Sequence, residues 1–253
     1  MIGLFDSGSG GLTVLTKIRE RLPSSDVLYF GDIKHAPYGL RSREDLSLLT
    51  VKAVELLVKN GATSIVSACN SVSASLALSL FDTLSVPAER LVEMVGPAVS
   101  SFRDSDARIL LTATPATIDS GIYQSAFRML GKEITTVAIP ELAGAIESGV
   151  GREEIKSIIQ KAFADISLNN FDVLVLACTH YPLVSDVFEE VLGRGIRLFD
   201  PADAVAQRIE ERWWPREVGH GKLRFLISKD SEPFRRLVAD RFPDGAYSIE
   251  VLE

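Results

Sequence analysis

Short runs rich in β-branched and apolar residues alternate along the chain with longer stretches whose apolar positions recur at helical spacing. The short runs predict strands over Ile2–Phe5, Val27–Phe30, Ser64–Ala68, Leu91–Val95, Arg108–Ala113, Ile134–Ala138, Asp172–Ala177, Ile196–Phe199, Leu223–Ile227 and Tyr247–Val251. The longer stretches predict helices over Leu12–Arg21, Arg43–Lys59, Ser73–Leu80, Ile118–Leu130, Arg152–Ile166, Leu183–Leu192, Ala202–Arg212 and Glu232–Arg241. In Arg43–Lys59, Leu46, Leu49, Ala53, Leu56 and Leu57 form one stripe, and Gly61 stops the pattern. Strands and helices in alternation imply an α/β fold of parallel sheets covered by helices.

The chain also echoes itself. Ser64-Ile65-Val66-Ser67-Ala68-Cys69-Asn70 resembles Val173-Leu174-Val175-Leu176-Ala177-Cys178-Thr179. Each is a buried strand that ends in Ala-Cys and a polar residue. The echo predicts two similar parallel-sheet α/β domains related by pseudo-symmetry, each with one cysteine at the C-terminal end of a strand. Ligands bind at that end of open α/β sheets, so the active-site cleft is expected between the domains. We place the first, discontinuous domain at residues 1–95 plus 206–253 and the second at 96–205, with a crossing near Gly96-Pro97 and a return beyond Pro201.

Composition narrows the function. The 253 residues are 46% hydrophobic and 24% charged, which excludes a disordered chain. No apolar run is long enough to cross a membrane. A net charge of −7 argues against general nucleic-acid binding, which needs a basic footprint. Asp6 falls where a secretory leader would be apolar, so a cytoplasmic protein is expected. Two cysteines cannot build a disulfide framework.

An isolated cysteine is ordinarily a small buried hydrophobe. Cys69 instead stands at a strand end before Asn70, Ser71 and Ser73, which can open a helix whose N–H groups stabilise a thiolate or bind a carboxylate. Cys178 is followed by Thr179 and His180, and a histidine at the same turn can relay a thiol's proton. No companion pair at short spacing accompanies Cys178 and His180, so no metal site is expected. The loop Asp6-Ser7-Gly8-Ser9-Gly10-Gly11 is neither a dinucleotide fingerprint nor a P-loop; it reads as a tight turn aiming Asp6 and Ser7 at the strand ends, or as a plain turn with Asp6 as N-cap. His35 and Arg41 read as solvated, the hydroxyls of Thr112, Thr114 and Thr117 as turn and capping groups, and Trp213-Trp214 as packing at a helix end. Two thiols facing one carbon from opposite sides suit a stereoinversion, in which one takes a proton and the other gives one.

Ile2-Gly3-Leu4-Phe5-Asp6-Ser7-Gly8, Tyr29-Phe30-Gly31-Asp32, Pro37-Tyr38-Gly39, Ala68-Cys69-Asn70, Ala116-Thr117-Ile118-Asp119-Ser120-Gly121 and Cys178-Thr179-His180-Tyr181-Pro182-Leu183 together resemble the glutamate racemases, in family order from residue 2 to about residue 205. The resemblance implies cofactor-independent interconversion of L- and D-glutamate, which supplies D-glutamate for peptidoglycan and so for cell-wall biogenesis and cell shape. It also implies two α/β domains clasping a small-molecule substrate, and a homodimer. Carried over by position, Cys69 and Cys178 resemble the catalytic acid/bases, Asp6 assists the first thiol, and His180 assists the second with Glu147 as its partner. Asp6, Ser7, Pro37, Tyr38, Gly39, Asn70, Ser71, Thr114, Thr117, Thr179 and His180 match substrate-binding positions. Ser71 stands where the family usually has threonine, and Asp32-Ile33-Lys34-His35 replaces an Asp-Thr-Ala-Arg stretch. The alternatives are a sister enzyme acting on aspartate, a hydantoin or a dicarboxylate, and a non-catalytic regulatory protein that keeps the cleft; some family members bind DNA gyrase.

Overall fold

A computed structural model describes the chain except residues 76–85, 194, 244 and 253. The strands form where the pattern places them: β1 (Ile2–Asp6), β2 (Val27–Gly31), β3 (Ser64–Ser67), β4 (Leu91–Glu93), β5 (Ile109–Ala113), β6 (Ile134–Ala138), β7 (Val173–Ala177), β8 (Arg197–Phe199), β9 (Leu223–Ile227) and β10 (Tyr247–Val251). They make two sheets, ordered β10-β9-β2-β1-β3-β4 and β6-β5-β7-β8, with every pairing parallel. Parallel neighbours align all the C-terminal ends of a sheet along one edge, and β1, β3, β5 and β7 deliver the candidate site there.

The described helices are α1 (Leu12–Arg21), α2 (Arg43–Lys59), α3 (Asn70–Ser75), α4 (Val95–Ser100), α5 (Pro115–Asp119), α6 (Ile122–Met129), α7 (Leu142–Ser148), α8 (Arg152–Phe163), α9 (Ser185–Leu192), α10 (Ala202–Trp213) and α11 (Glu232–Arg241). Helix α2 starts at Arg43 because Ser42 Oγ accepts from the Asp45 N–H at 3.1 Å, with Glu44 and Asp45 in the first turn at the positive end of the dipole.

Alternate strand residues feed opposite faces. Leu4 and Tyr29 pack under α1, α10 and α11, while Phe5 and Leu28 pack under α2. In the second sheet Leu110 and Leu174 face α8 and α9, and Leu111 and Val175 face α4 and α6. Each fully buried Leu or Phe contributes about 2 kcal/mol by leaving water. The return of the chain is clasped by Glu217, 4% exposed at its side chain, which accepts from the Met1 ammonium at 2.7 Å, Ser64 Oγ at 2.6 Å and Arg90 at 2.9 Å.

Several sequence expectations need correction. The fourth strand stops at Glu93, whose carboxylate takes the N–H groups of Val95 and Gly96 and so starts α4 there. The single helix expected over Ile118–Leu130 is two, α5 and α6, broken by Gly121 at φ +68°. Leu183 lies in a 3-10 turn, Tyr181–Val184, ahead of α9. Helix α3 begins earlier than the expected Ser73, and the remainder of that expectation, 76–80, lies outside the described residues. Helix α7 was not expected; only Leu142 and Ala143 in it are buried, and Gly144 interrupts its pattern.

Candidate active site

Cys69 follows β3 and Cys178 follows β7 directly, so each sulfur emerges at the C-terminal edge of its own sheet. Each belongs to the apolar cluster of that sheet and is nearly buried, at 5% and 6% exposure. Both also line one narrow cavity between the two sheets. Its free volume is small, about 10 Å³, so it must widen to hold a metabolite.

Eleven of the residues singled out from sequence share its wall: Ser7, Pro37, Tyr38, Gly39, Cys69, Asn70, Ser71, Thr114, Cys178, Thr179 and His180. Ala143 completes it and was not anticipated. Asp6, Glu147 and Thr117 stand behind the wall, each bonded to a residue in it.

On the Cys69 side, the sulfur lies 3.7 Å from Ser7 Oγ and receives the N–H of Val72 from the first turn of α3. Burial pushes the thiol up to about 12, and the nearby Asp6 adds to this; the Val72 N–H and the Ser7 hydroxyl work in the other direction. Asp6 is wholly buried. It accepts from Gly8 N at 2.9 Å and from Thr179 Oγ1 at 3.0 Å. Burial raises its pKa, against the pull of the His180 charge and the N–H groups of Gly8 and Gly11. Asp6 is therefore not the N-cap of α1: that position is Gly11, without a side-chain cap.

On the Cys178 side, His180 Nδ1 lies 4.0 Å from the sulfur, and its Nε2 lies 2.6 Å from Glu147 Oε2. Burial alone would pull the imidazole down. Its bonds to Cys178 and Glu147 and their charges overcome this and hold it well above its ordinary value. Burial likewise works against the Glu147 carboxylate, but His180 and Ser9 hold its pKa below the usual one. Glu147 Oε2 also accepts from Ser9 N at 2.9 Å and Ser9 Oγ at 2.7 Å, so the N-terminal loop reaches across to the second sheet.

That loop has its glycines for close approach. A Cβ on Gly10 would lie 2.6 Å from Thr179 Oγ1 and 2.7 Å from His180 Nδ1. A second bridge is hydroxylic: Ser71 Oγ lies 2.8 Å from Thr114 Oγ1, which lies 3.1 Å from Thr117 Oγ1. Thr114 does not cap α5 with its side chain, contrary to the capping expectation. Tyr123 Oη donates to Asn70 Oδ1 at 2.6 Å, and neither Tyr123 nor Ser9 was singled out from sequence. The other expectations divide. His35 is paired with the Asp32 carboxylate at 2.8 Å and Arg41 donates to the His35 carbonyl, so neither is simply solvated. Trp213 is core, whereas Trp214 is 49% exposed. Among the described residues no cluster of His, Cys, Asp and Glu could hold a metal ion, and no helix is long and apolar enough to cross a membrane.

The sequence profile of the Asp/Glu/Hydantoin racemase family matches residues 2–209. This chain belongs to that family. It is an enzyme of the racemase class on the same ground. Glutamate racemase 3 of Caldanaerobacter subterraneus subsp. tengcongensis is 35% identical over 243 residues, covering 92% of this chain and 87% of the relative. The glutamate racemase isoform RacE1 of Bacillus anthracis superposes with a TM-score of 0.88 at 26% identity, covering 100% of this chain and 97% of that one. Escherichia coli glutamate racemase, solved with L-glutamate and the activator UDP-MurNAc-ala, gives 0.80 at 25% identity, covering 99% and 97%. Family membership and the two parallel sheets agree on the fold class read from the sequence.

Proposed function

We propose that this enzyme interconverts L- and D-glutamate by proton transfer at Cα between Cys69 and Cys178. The observation that carries the reading is the placement of two thiols from two different sheets on one small cavity. The names of the similar racemases, and the L-glutamate bound in the Escherichia coli one, support glutamate over aspartate or a hydantoin.

The two sides differ in their surroundings. Cys69, at about 12, rests as a thiol and is the proton donor. Cys178 faces a protonated His180 whose charge is balanced by Glu147, an arrangement that stabilises negative charge at the sulfur and suits a base. The resting enzyme then acts on the enantiomer whose Cα–H faces Cys178: that proton passes to Cys178 while Cys69 gives its own to the opposite face. Afterwards the charges are exchanged, and the enzyme is set for the reverse direction. For Cys69 to act as the base it must first be a thiolate; its proton then passes to the Asp6 carboxylate, whose raised pKa suits an acceptor. Charge building on the substrate carboxylate meets the donor Asn70 Nδ2 and the hydroxyl chain of Ser71 and Thr114 in a cavity with little room for water. Asp6, Ser7, Pro37, Tyr38, Gly39, Thr117 and His180 complete the proposed substrate site. Both proton carriers are side chains, so the reaction as proposed draws on no cofactor.

We also read the two sheets as domains of residues 1–95 with 206–253, and 96–205; Ala202 and Val205 pack in the first core, which favours drawing the return at Pro201. A cytoplasmic homodimer that supplies D-glutamate for peptidoglycan follows from the family resemblance alone.

The test is incubation with L-glutamate in deuterium oxide, followed by polarimetry and by mass spectrometry of Cα. Loss of rotation with deuterium uptake is expected, and Cys69→Ser or Cys178→Ser should each lower inversion by about a thousandfold or more. Retained rotation without exchange in the parent enzyme overturns the reading, and a panel of aspartate and hydantoins then identifies the substrate.

A further inference from the structure

Tyr123 takes no part in the proton transfer, yet it is 1% exposed and its hydroxyl is committed to one partner, Oδ1 of Asn70 at 2.6 Å. The contact joins the two halves of the molecule. Tyr123 sits on α6, its ring in the apolar cluster of Phe102 and Phe127 over the second sheet, whereas Asn70 opens α3 beside the first. Asn70 is 2% exposed and lines the cavity, and its Nδ2 has no hydrogen-bond partner among the described residues.

A side-chain amide can turn over, exchanging its donor for its acceptor at little steric cost. Here the phenol decides which end faces the cavity. A buried O–H must donate, and Asn70 Oδ1 is the acceptor it has among the described residues. Turning the amide over would set the NH2 against the phenol oxygen and leave the O–H with nothing to donate to. Burial keeps Tyr123 protonated through the working pH range, so the donor is permanent.

We propose that Tyr123 is a positioning residue that locks the Asn70 amide with its NH2 toward the substrate, so that this wall always presents a donor and selects a carboxylate oxygen. This rests on the glutamate reading. The parent enzyme's own exchange of glutamate Cα–H tests that reading separately, before any variant is made.

Tyr123→Phe removes the hydroxyl and keeps the ring. It should raise KM for glutamate about tenfold while kcat stays within about twofold. A fall in kcat at unchanged KM overturns the proposal, because the residue would then serve the proton transfer. The decisive comparison is a double-mutant cycle. In the Asn70→Ala background, Tyr123→Phe should add no further rise in KM; a full additional rise of about tenfold would mean that Tyr123 acts independently of Asn70. If Tyr123→Phe does not fold, Asn70→Asp serves instead: it keeps an acceptor for the phenol and deletes the NH2. D-glutamate should then no longer raise the melting temperature, and a shift equal to that of the parent enzyme overturns the proposal.

Discussion

Glu147 and His180 meet at 2.6 Å, Oε2 to Nε2, behind the wall that carries Cys178. The same carboxylate oxygen is held by Ser9 from the opposite half of the molecule. The histidine therefore receives its orientation and much of its charge stabilisation from a residue that does not touch the cavity.

Glu147→Gln should lower the racemisation rate about a hundredfold. It removes a main cause of the raised His180 pKa, so imidazole NMR should show His180 titrating clearly lower in the variant. The stability effect has a definite window. The depressed Glu147 pKa contributes stability above its ordinary 4.5 that is lost as pH falls through the folded value. The raised His180 pKa contributes stability below its ordinary 6.5 that is lost as pH rises through the folded value. The melting-temperature gap between parent and variant should therefore be widest between pH 4.5 and 6.5. A gap that grows steadily toward alkaline pH would contradict this.

Cys69 offers a chemical measurement. With its thiol pushed up to about 12, only a small thiolate fraction exists near neutrality. Alkylation by iodoacetamide, mapped to the Cys69 peptide by mass spectrometry, should accelerate about tenfold per pH unit from about pH 7 to about pH 10. A plateau in that range would place the thiol far lower and reverse the assignment of resting donor.

The fold was more legible than the site. Strands such as Val27–Gly31 and Val173–Ala177 announce themselves because all their residues are buried, and a short unbroken apolar run has few other uses. The two cysteines were legible as an echo of strand ends. Glu147 was visible only through family resemblance, because α7 is short, fully buries only Leu142 and Ala143, and is interrupted by Gly144; its helical state depends on docking, which local pattern does not carry. Ser9 and Tyr123 were invisible for a related reason. A serine between glycines and a tyrosine on an apolar helix look ordinary until the two sheets come together and supply Glu147 and Asn70 as partners.

Gly39 is a tight point of that meeting. A Cβ there would lie 2.5 Å from both Cβ and Cγ2 of Thr114, too close for either chain to stay in place. Gly39→Ala should displace Thr114 from Ser71 and cut kcat/KM about tenfold or more, with a destabilisation of about 1–3 kcal/mol by urea titration. Unchanged kinetics would show that the two loops yield freely.

Polar seams cross the cavity's edge: Asp6 to Thr179, Ser9 to Glu147, Ser71 to Thr114, and Asn70 to Tyr123. With so little free space inside, the cavity must widen to hold a substrate, and these bonds resist the widening. The same bonds that align the proton carriers thus also meter the traffic of reactant and product, and evolution can retune speed by editing a stitch without touching a thiol.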